Sequence, residues 1–275
     1  MMRNFIWLCC VAALLLCQGS YAQTQPPPLA PGAQPHGPQT PVQQYQVQDG
    51  GTREILESIV VPPKAKAPFS LVLQTEWVKT LPDGGTITTE NQRRIARDSE
   101  GRIYEERWFL VPKNGKIKSG MTTIQISDPH AHTLYNCFML ESVHQCMLSA
   151  YSPSTDAVYN FQGGKTGPLA DDAGSVVHED LGKQLISGLE AEGTRDSVIY
   201  NPDVFGNNRK VTIEREFWYS PKLGFNLISK RSDPRIGTQT FTVTNLILSE
   251  PDPKLFELPE GYKVVDRRES SPPQN

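Results

Sequence analysis

The sequence predicts a mainly β protein: a single antiparallel sheet, strongly curved or forming a half-barrel, with one or two short helices and a disordered Pro/Gln-rich segment before it. Two meanders predict the sheet, over Phe69–Val111 and Arg209–Val264, because each alternates apolar and polar residues between turn sequences. The curvature follows from their length, since a long sheet covers its apolar face only by curling or closing.

The N-terminal meander is predicted to contain three strands, over Phe69–Thr80, Thr86–Arg97 and Arg102–Val111. Turn sequences at Pro82–Gly85 and Asp98–Gly101 join them. Charged residues crowd one face of this meander: Arg93, Arg97, Arg102, Glu105, Glu106 and Arg107. We interpret them as cross-strand ion pairs on a solvated face, and the alternative is an anion-binding ladder.

The C-terminal meander has the clearest β pattern in the chain. Its first strand places four side chains on one side: Val211, Ile213, Phe217 and Tyr219. Turn sequences at Ser220–Gly224 and Asp233–Gly237 lead into further strands over Phe225–Ser229 and Thr238–Leu248, which are rich in β-branched and aromatic residues.

A hairpin with two cysteines lies between the meanders, after a strand over Met121–Ser127. Its strands are predicted over His132–Met139 and Gln145–Tyr151. Three of the five cysteines lie in the first 22 residues, which leaves Cys137 and Cys146 as an even pair. Their spacing lets them face each other across the hairpin, so we expect a structural disulfide with Cα atoms roughly 4.4–6.8 Å apart.

Three other segments are less regular. Thr52–Val61 has the apolar spacing of a helix and ends at a pair of prolines. Asn160–Asp180 is predicted to be a loop because it is rich in Gly, Asp and Ala. Leu181–Tyr200 is predicted to be strand-like, with Gly188 and Gly193 marking bends or bulges.

The first 22 residues have the pattern of a cleaved export signal. Arg3 precedes an apolar run over Phe5–Leu16, and Ser20–Ala22 supplies a small-x-small cleavage site. The run is shorter than the ~20 residues that span a bilayer, so the mature chain is expected to have no transmembrane segment. Leu16 before Cys17 argues against lipidation. We therefore expect an exported protein, periplasmic or extracellular after cleavage near Ala22.

The expected domain organisation has four parts. They are a signal peptide over 1–22, a disordered tether over 23–48, a β-rich domain over 49–267 and a disordered tail over 268–275. The tether holds seven prolines and eight glutamines, and such a segment buries too little apolar surface to offset its ordering entropy.

Composition argues against several function classes. The formal net charge is −3 and no basic stripe is present, so nucleic acid is not an expected partner. His130 and His132, two positions apart, are weak candidates for metal ligands, and ordinary surface histidines are the commoner case. No catalytic motif appears, so no catalytic residues, metal or cofactor are expected.

Two stretches resemble known proteins. Glu250–Tyr262, EPDPKLFELPEGY, resembles the C-terminal "D-x-x-L-F-x-x-P-x-G-Y" closure of outer-membrane lipoprotein carriers and related half-barrel proteins of the bacterial envelope. This resemblance implies that Phe256 plugs the open side of the sheet and that Tyr262 lies in the final strand. Arg53–Arg107 looks like a group of exported bacterial proteins of unknown function, a likeness that implies no activity.

These features favour a non-enzymatic envelope protein that binds a lipid or other apolar ligand in the concave face of the sheet. Six aromatic side chains are candidates to line that cavity: Trp77, Trp108, Phe217, Trp218, Phe256 and Tyr262. One alternative is a secreted interaction or scaffold module without a cavity, with an envelope protein as partner. Another is a hydrolase that uses carboxylates among Glu190, Glu192, Glu214 and Glu216.

The C-terminal closure is expected to begin with a turn of helix. Asp252 can accept hydrogen bonds from the amides that follow it, and Pro253 suits the first helical position. Such a turn would direct Leu255 and Phe256 against the sheet.

The export signal makes a direct prediction about the mature chain. Cleavage after Ala22 leaves Gln23 as the first residue of the exported protein. N-terminal sequencing of protein recovered from the exported fraction checks this, and an intact Met1 in that fraction contradicts it.

Overall fold

One large β-sheet contains most of the regular structure. The computed structural model describes residues 59–139, 143–151 and 164–268, together with the backbone of two short strands near residue 50. All of them lie within one compact unit, Thr40–Asn275. The strands are β1 (Gln44–Gln46), β2 (Arg53–Ile55), β3 (Phe69–Thr80), β4 (Thr86–Arg97), β5 (Ile103–Trp108), β6 (Val111–Pro112), β7 (Met121–Asp128), β8 (Thr133–Phe138), β9 (Gln145–Ala150), β10 (Gly167–Pro168), β11 (Gly174–Ile186), β12 (Leu189–Tyr200), β13 (Val211–Ser220), β14 (Phe225–Asp233), β15 (Gly237–Ile247) and β16 (Lys263–Asp266).

Fourteen of these strands form the large sheet, in the order β10-β11-β12-β13-β14-β15-β3-β4-β5-β7-β8-β9-β16, with β6 beside β4. The pairing is antiparallel except between β16 and β9, which are parallel. β1 and β2 form a separate antiparallel pair. The predicted mainly β, antiparallel fold is confirmed. In the described part of the chain there is no α-helix, only 3-10 turns at Ala170–Asp172 and Pro253–Phe256, and no helix able to cross a membrane.

The two predicted meanders join through β15 and β3, which are neighbours in the sheet although about 160 residues separate them in the chain. Phe241 lies opposite Thr75 and Val243 opposite Leu73. This single antiparallel contact makes one continuous sheet from the N-terminal and C-terminal halves.

Several local predictions differ from the structure. Arg53–Ile55 is a strand, so the predicted helix over Thr52–Val61 does not form. Gln44–Gln46, in the predicted tether, is the strand that pairs with it. The remaining calls on residues 1–43 and 47–48, and on 269–275 of the predicted tail, lie outside the described residues.

The end of the predicted loop, from residue 174 to 180, and the predicted single strand over Leu181–Tyr200 together form a long hairpin. β11 begins at Gly174, and β12 pairs with it from Leu189 to Tyr200. The turn is formed by Ser187 and Gly188, whose φ values are both positive (48° and 80°). Two consecutive positive φ values are typical of the tight turn that matches strand twist, so Gly188 closes a hairpin rather than bending one strand.

The predicted disulfide is confirmed. Cys137 and Cys146 lie directly opposite each other across β8 and β9, bonded through their sulfurs, with both side chains buried. Their Cα atoms are 3.9 Å apart, slightly closer than expected. The bridge fixes the register of this hairpin at the end of the sheet that also carries β16.

The main apolar core lies on the face of the sheet that carries Leu71, Leu73 and Ile95, which we call the main face. Its buried members are Ile59, Val61, Phe69, Leu71, Leu73, Ile95, Ile103, Leu189, Ala191, Leu223, Phe225, Leu227, Phe241 and Val243. They come from the segment before β3, from six strands and from the β13–β14 turn. The tip of the β11–β12 hairpin also reaches this core, since Ser187 Oγ donates to the Val243 carbonyl at 3.2 Å.

A smaller cluster lies on the opposite face. Ala96, Tyr104 and Ile126 form its buried centre, and the C-terminal closure packs against it through Leu255, Phe256 and Leu258. The expected turn is present at Pro253–Phe256, and the Asp252 carboxylate accepts from the Lys254 amide at 3.0 Å. The closure therefore packs on the face that the main core does not use.

Arg97 is a fully buried cation at the end of β4 (0% exposed). Its guanidinium donates to three carbonyls that are distant in the sequence: Pro62 (2.7 Å), Ala67 (3.0 Å) and Leu223 (3.1 Å). It also lies 4.9 Å from the centre of the Phe69 ring. Burial lowers the pKa of Arg97 to about 10, so the side chain remains cationic at neutral pH.

The expectation that these six charged residues form ion pairs on a solvated face is therefore wrong for three of them. Arg93, Arg97 and Glu106 are all buried. Glu106 accepts from the Tyr104 hydroxyl (3.0 Å) and the Trp108 indole (2.9 Å). Burial and the adjacent Glu106 carboxylate raise the pKa of Tyr104 well above its usual value.

Replacement of Arg97 by methionine should strongly destabilise the protein. Arg97→Met removes three buried hydrogen bonds from a charged donor, and we expect unfolding to become easier by about 3–5 kcal/mol. For a domain of this size that corresponds to a fall in Tm of roughly 10 °C, measurable by thermal denaturation.

Arg94→Met, on the same strand, is the matched control. The Arg94 side chain is 55% exposed and its nearest carboxylate oxygen is 4.0 Å away, on Glu106. Glu106 keeps its donors from Tyr104, Trp108 and the Arg94 amide in this variant, so loss of the long contact should cost little. Equal Tm values for the two variants would show that Arg97 does not tie these segments together.

Candidate ligand-binding face

The main face changes from apolar to polar along its strands. Residues directly opposite each other in antiparallel pairs project from the same face, so the register identifies whole rows of side chains. Leu73 and Val243 form one apolar row. The next row is mixed and contains Thr75, Phe241, Ser229 and Phe217. The row beyond it is mostly polar, so this face is amphipathic.

The polar row crosses five strands, and we call it the polar belt. It consists of His178, Asp196, Arg215, Arg231 and Gln239, with Trp77 next in line on β3. Asp196 is buried, and its carboxylate lies 2.6 Å from His178 Nδ1 and accepts from the Gly164 amide at 2.9 Å. A row of charged and amide groups with buried members at Asp196 and Gln239 was not predicted from the sequence.

Asp233 anchors the turn that follows the belt on β14. Its carboxylate is fully buried and accepts from the Arg235 amide (3.0 Å), Arg235 Nε (2.9 Å) and Arg235 Nη2 (2.7 Å). Arg231 Nη2 lies 3.4 Å away. The Arg235 guanidinium lowers the pKa of Asp233, and burial opposes this effect only in part.

The six aromatic candidates do not gather in one place. Trp77 and Phe217 lie on the main face and are buried. The Trp77 indole donates to the Ile236 carbonyl at 2.9 Å. Trp218 packs against the edge of the main core while its indole donates to Glu216 at 2.9 Å.

The other three candidates lie away from the main face. Trp108 donates to Glu106 beside the second cluster. Phe256 belongs to that cluster and lies 4.9 Å from the Arg102 guanidinium. Tyr262 contacts the His144 ring edge to face at 5.3 Å. It directly precedes β16 and is not part of that strand.

The histidine and carboxylate candidates show no shared site. His130 Nε2 lies 3.0 Å from the Glu100 carbonyl, and His132 is in the turn before β8 with φ of 51°. Across the described ranges, no group of three or more His, Cys, Asp or Glu side chains could hold a metal ion.

The carboxylates named for a hydrolase are distributed along the surface of β12 and β13. Lys183 contacts both Glu190 (2.9 Å) and Glu192 (3.2 Å). Glu216 accepts from Arg195 at 2.8 Å, and Glu214 is exposed. Three of the four are thus held in cross-strand ion pairs.

The buried Asp233 should matter for stability and for its dependence on pH. Asp233→Asn removes the negative charge that three donors of Arg235 surround, and we expect a loss of about 2–4 kcal/mol at pH 7. Because the folded-state pKa of Asp233 lies below its unfolded value, its contribution is complete above about pH 4 and is lost as pH falls through the folded pKa. Urea denaturation between pH 7 and 3 should therefore show the two proteins converging at acidic pH.

Asp266→Asn is the matched control, because Asp266 makes the same contact with an arginine two residues later, Arg268, but on the surface. The Arg268 guanidinium lowers the pKa of Asp266 to about 2. This exposed pair should change stability little. If both variants lose the same stability, burial of Asp233 is not the reason for its effect.

The sequence matches no protein-family model and no curated protein. Among solved structures, it is similar to an uncharacterized conserved protein from Thermus thermophilus, with 12% identity and a TM-score of 0.36 over 74% of this chain and 91% of that one. It is also similar to the MucA/MucB complex from Pseudomonas aeruginosa, with 14% identity and a TM-score of 0.34 over 70% of this chain and 56% of that one.

A third similarity is to a LolA superfamily protein from Nitrosomonas europaea, with 9% identity and a TM-score of 0.27 over 70% of this chain and 90% of that one.

Proposed function

We propose that this chain is an exported envelope protein that binds a lipid or other amphiphile on the main face of its sheet, without catalysing a reaction. The observation that supports the proposal is the amphipathic main face, on which the core rows around Leu73 and Val243 give way to the polar belt two rows further along the strands. A surface that is apolar at one end and polar at the other matches a ligand with a tail and a head group.

Two of the aromatic candidates support this location. Trp77 and Phe217 lie at the boundary between the apolar and polar rows, next to Thr75, Ser229 and Phe241. Aromatic side chains are suited to such a boundary because they combine a large apolar surface with tolerance of polar neighbours. We therefore propose Trp77 and Phe217 as ligand contacts on this face.

Export is proposed on two independent features. The N-terminal pattern over residues 1–22 is that of a cleaved signal. The Cys137–Cys146 disulfide is of the kind that persists in oxidising compartments. Both features support an exported mature protein, for which we propose a β-rich domain over 49–267 after the Pro/Gln-rich segment over 23–48.

A second candidate function is a protein-binding module. β16 lies at one end of the sheet path and pairs only with β9 among the described strands. Val264, in the middle of β16, is 46% exposed. An edge strand of this kind can accept an added strand from another protein.

Co-purified lipid distinguishes these functions. We expect organic extraction of the protein, purified from the exported fraction without detergent, to release a near-stoichiometric amphiphile that mass spectrometry detects. Phe217→Leu should reduce the retained amount, because this substitution changes a ligand contact proposed on the main face.

Trp108→Leu is the control, since Trp108 lies beside the second cluster. Amounts should be compared per mole of folded protein, because both substitutions affect packing. An extract without lipid, from protein that also fails to bind added lipid, would contradict the proposed function and leave the protein-binding module.

A further inference from the structure

Gln239 is a buried side chain whose hydrogen-bonding capacity is unused. It is 1% exposed, and neither Nε2 nor Oε1 has a hydrogen-bond partner among the residues that the structure describes. A buried amide without partners is destabilising, and such groups in native proteins call for an explanation. The sequence gives no sign of it, because Gln239 lies in an ordinary alternating strand.

Gln239 lies on the main face, near the start of β15. It lies opposite Trp77 on β3 and opposite Arg231 on β14, within the polar belt. Phe241, two residues later on the same strand, begins the rows that lead to the apolar core. The unused amide therefore lies where the polar belt meets the rows that lead into the packed apolar core.

We propose that Gln239 is the residue that selects the ligand's head group, an inference that rests on the proposed function. Its Oε1 accepts and its Nε2 donates, so the complementary head offers a donor and an acceptor side by side. The ligand class is thus an amphiphile with an uncharged or anionic head that bears hydroxyl, amide or carboxyl groups.

The charges around Gln239 disfavour a cationic head. On the belt and the following turn, the described arginines are Arg215, Arg231 and Arg235, against the carboxylates of Asp196 and Asp233. A positively charged head brought into this shielded region would meet a formal excess of like charge. Quaternary ammonium amphiphiles should therefore bind poorly.

This assignment predicts opposite effects on stability and on binding. A structural glutamine loses stability when its amide is removed, whereas removing an unused buried amide relieves a desolvation cost. Gln239→Met keeps the unbranched shape without the amide. We expect it to raise the Tm of the ligand-free protein by about 2–6 °C while it weakens head-group discrimination.

The experiment measures the affinity of delipidated full-length mature protein for three amphiphiles: monopalmitoylglycerol, methyl palmitate and hexadecyltrimethylammonium. Each is used below its aggregation limit or delivered from cyclodextrin. The first two carry the same acyl chain, but only monopalmitoylglycerol has hydroxyl donors. Wild type should bind monopalmitoylglycerol about tenfold more tightly than methyl palmitate, the difference expected for about one hydrogen bond. Gln239→Met should bind the two equally. Gln92→Met, an exposed glutamine on β4, should behave as wild type.

The outcomes separate the two proposals. If wild type binds none of the three amphiphiles, the proposed function fails. If wild type binds both palmitoyl compounds equally, or if Gln239→Met keeps the preference, the head-group assignment fails and the function stands. A buried water that satisfies the amide would change Tm without changing the preference, which also overturns the assignment. Gln239→Leu is the second variant; if both substitutions prevent folding, the amide is structural and the assignment is wrong.

Discussion

The buried guanidinium of Arg97 holds together segments that no regular pairing joins. Its three carbonyl partners belong to the chain before β3 and to the β13–β14 turn, so one side chain links residues 62, 67 and 223 to the end of β4. This cation is stable there because oriented carbonyl dipoles replace its hydration. The apolar core forms beside this contact, with Phe69, Ile59 and Leu223 around it.

The pairing between β15 and β3 creates the continuous main face of the sheet. It makes one surface from two meanders, so apolar residues of both halves pack together while the polar residues of β11 to β15 align into the belt. Each strand alternates simply, yet the rows that cross the strands have different characters. An amphipathic face therefore arises from register, since a shift of one residue would place Gln239 and Trp77 on the other side.

Burial of polar groups in the belt and the turn after it has a free-energy cost that packing alone does not explain. Asp196 and Gln239 in the belt and Asp233 in the turn are buried, and two of these three have strong hydrogen-bond partners. Gln239 has none in the described structure. Stability alone would favour an apolar residue at that position, and sites where a local rule is broken without compensation are often functional. The hydrogen-bonded turn at Asp233 and the unsatisfied amide at Gln239 lie on the same strand pair, β14 and β15.

The sequence by itself determined the features that depend on neighbours in the chain. These are the strands of both meanders, the Cys137–Cys146 bridge across a short hairpin, and the turn at Asp252, all governed by local periodicity, loop length or capping. It did not reveal the Ser187-Gly188 turn. The residues on both sides of the turn are of moderate polarity, so their pattern did not show two paired strands of one hairpin. Tertiary structure alone decided the burial of Arg97, the β15–β3 junction and the polar belt. Their partners are up to 177 residues apart, and no local pattern encodes which strands become neighbours or which row of side chains a register brings together.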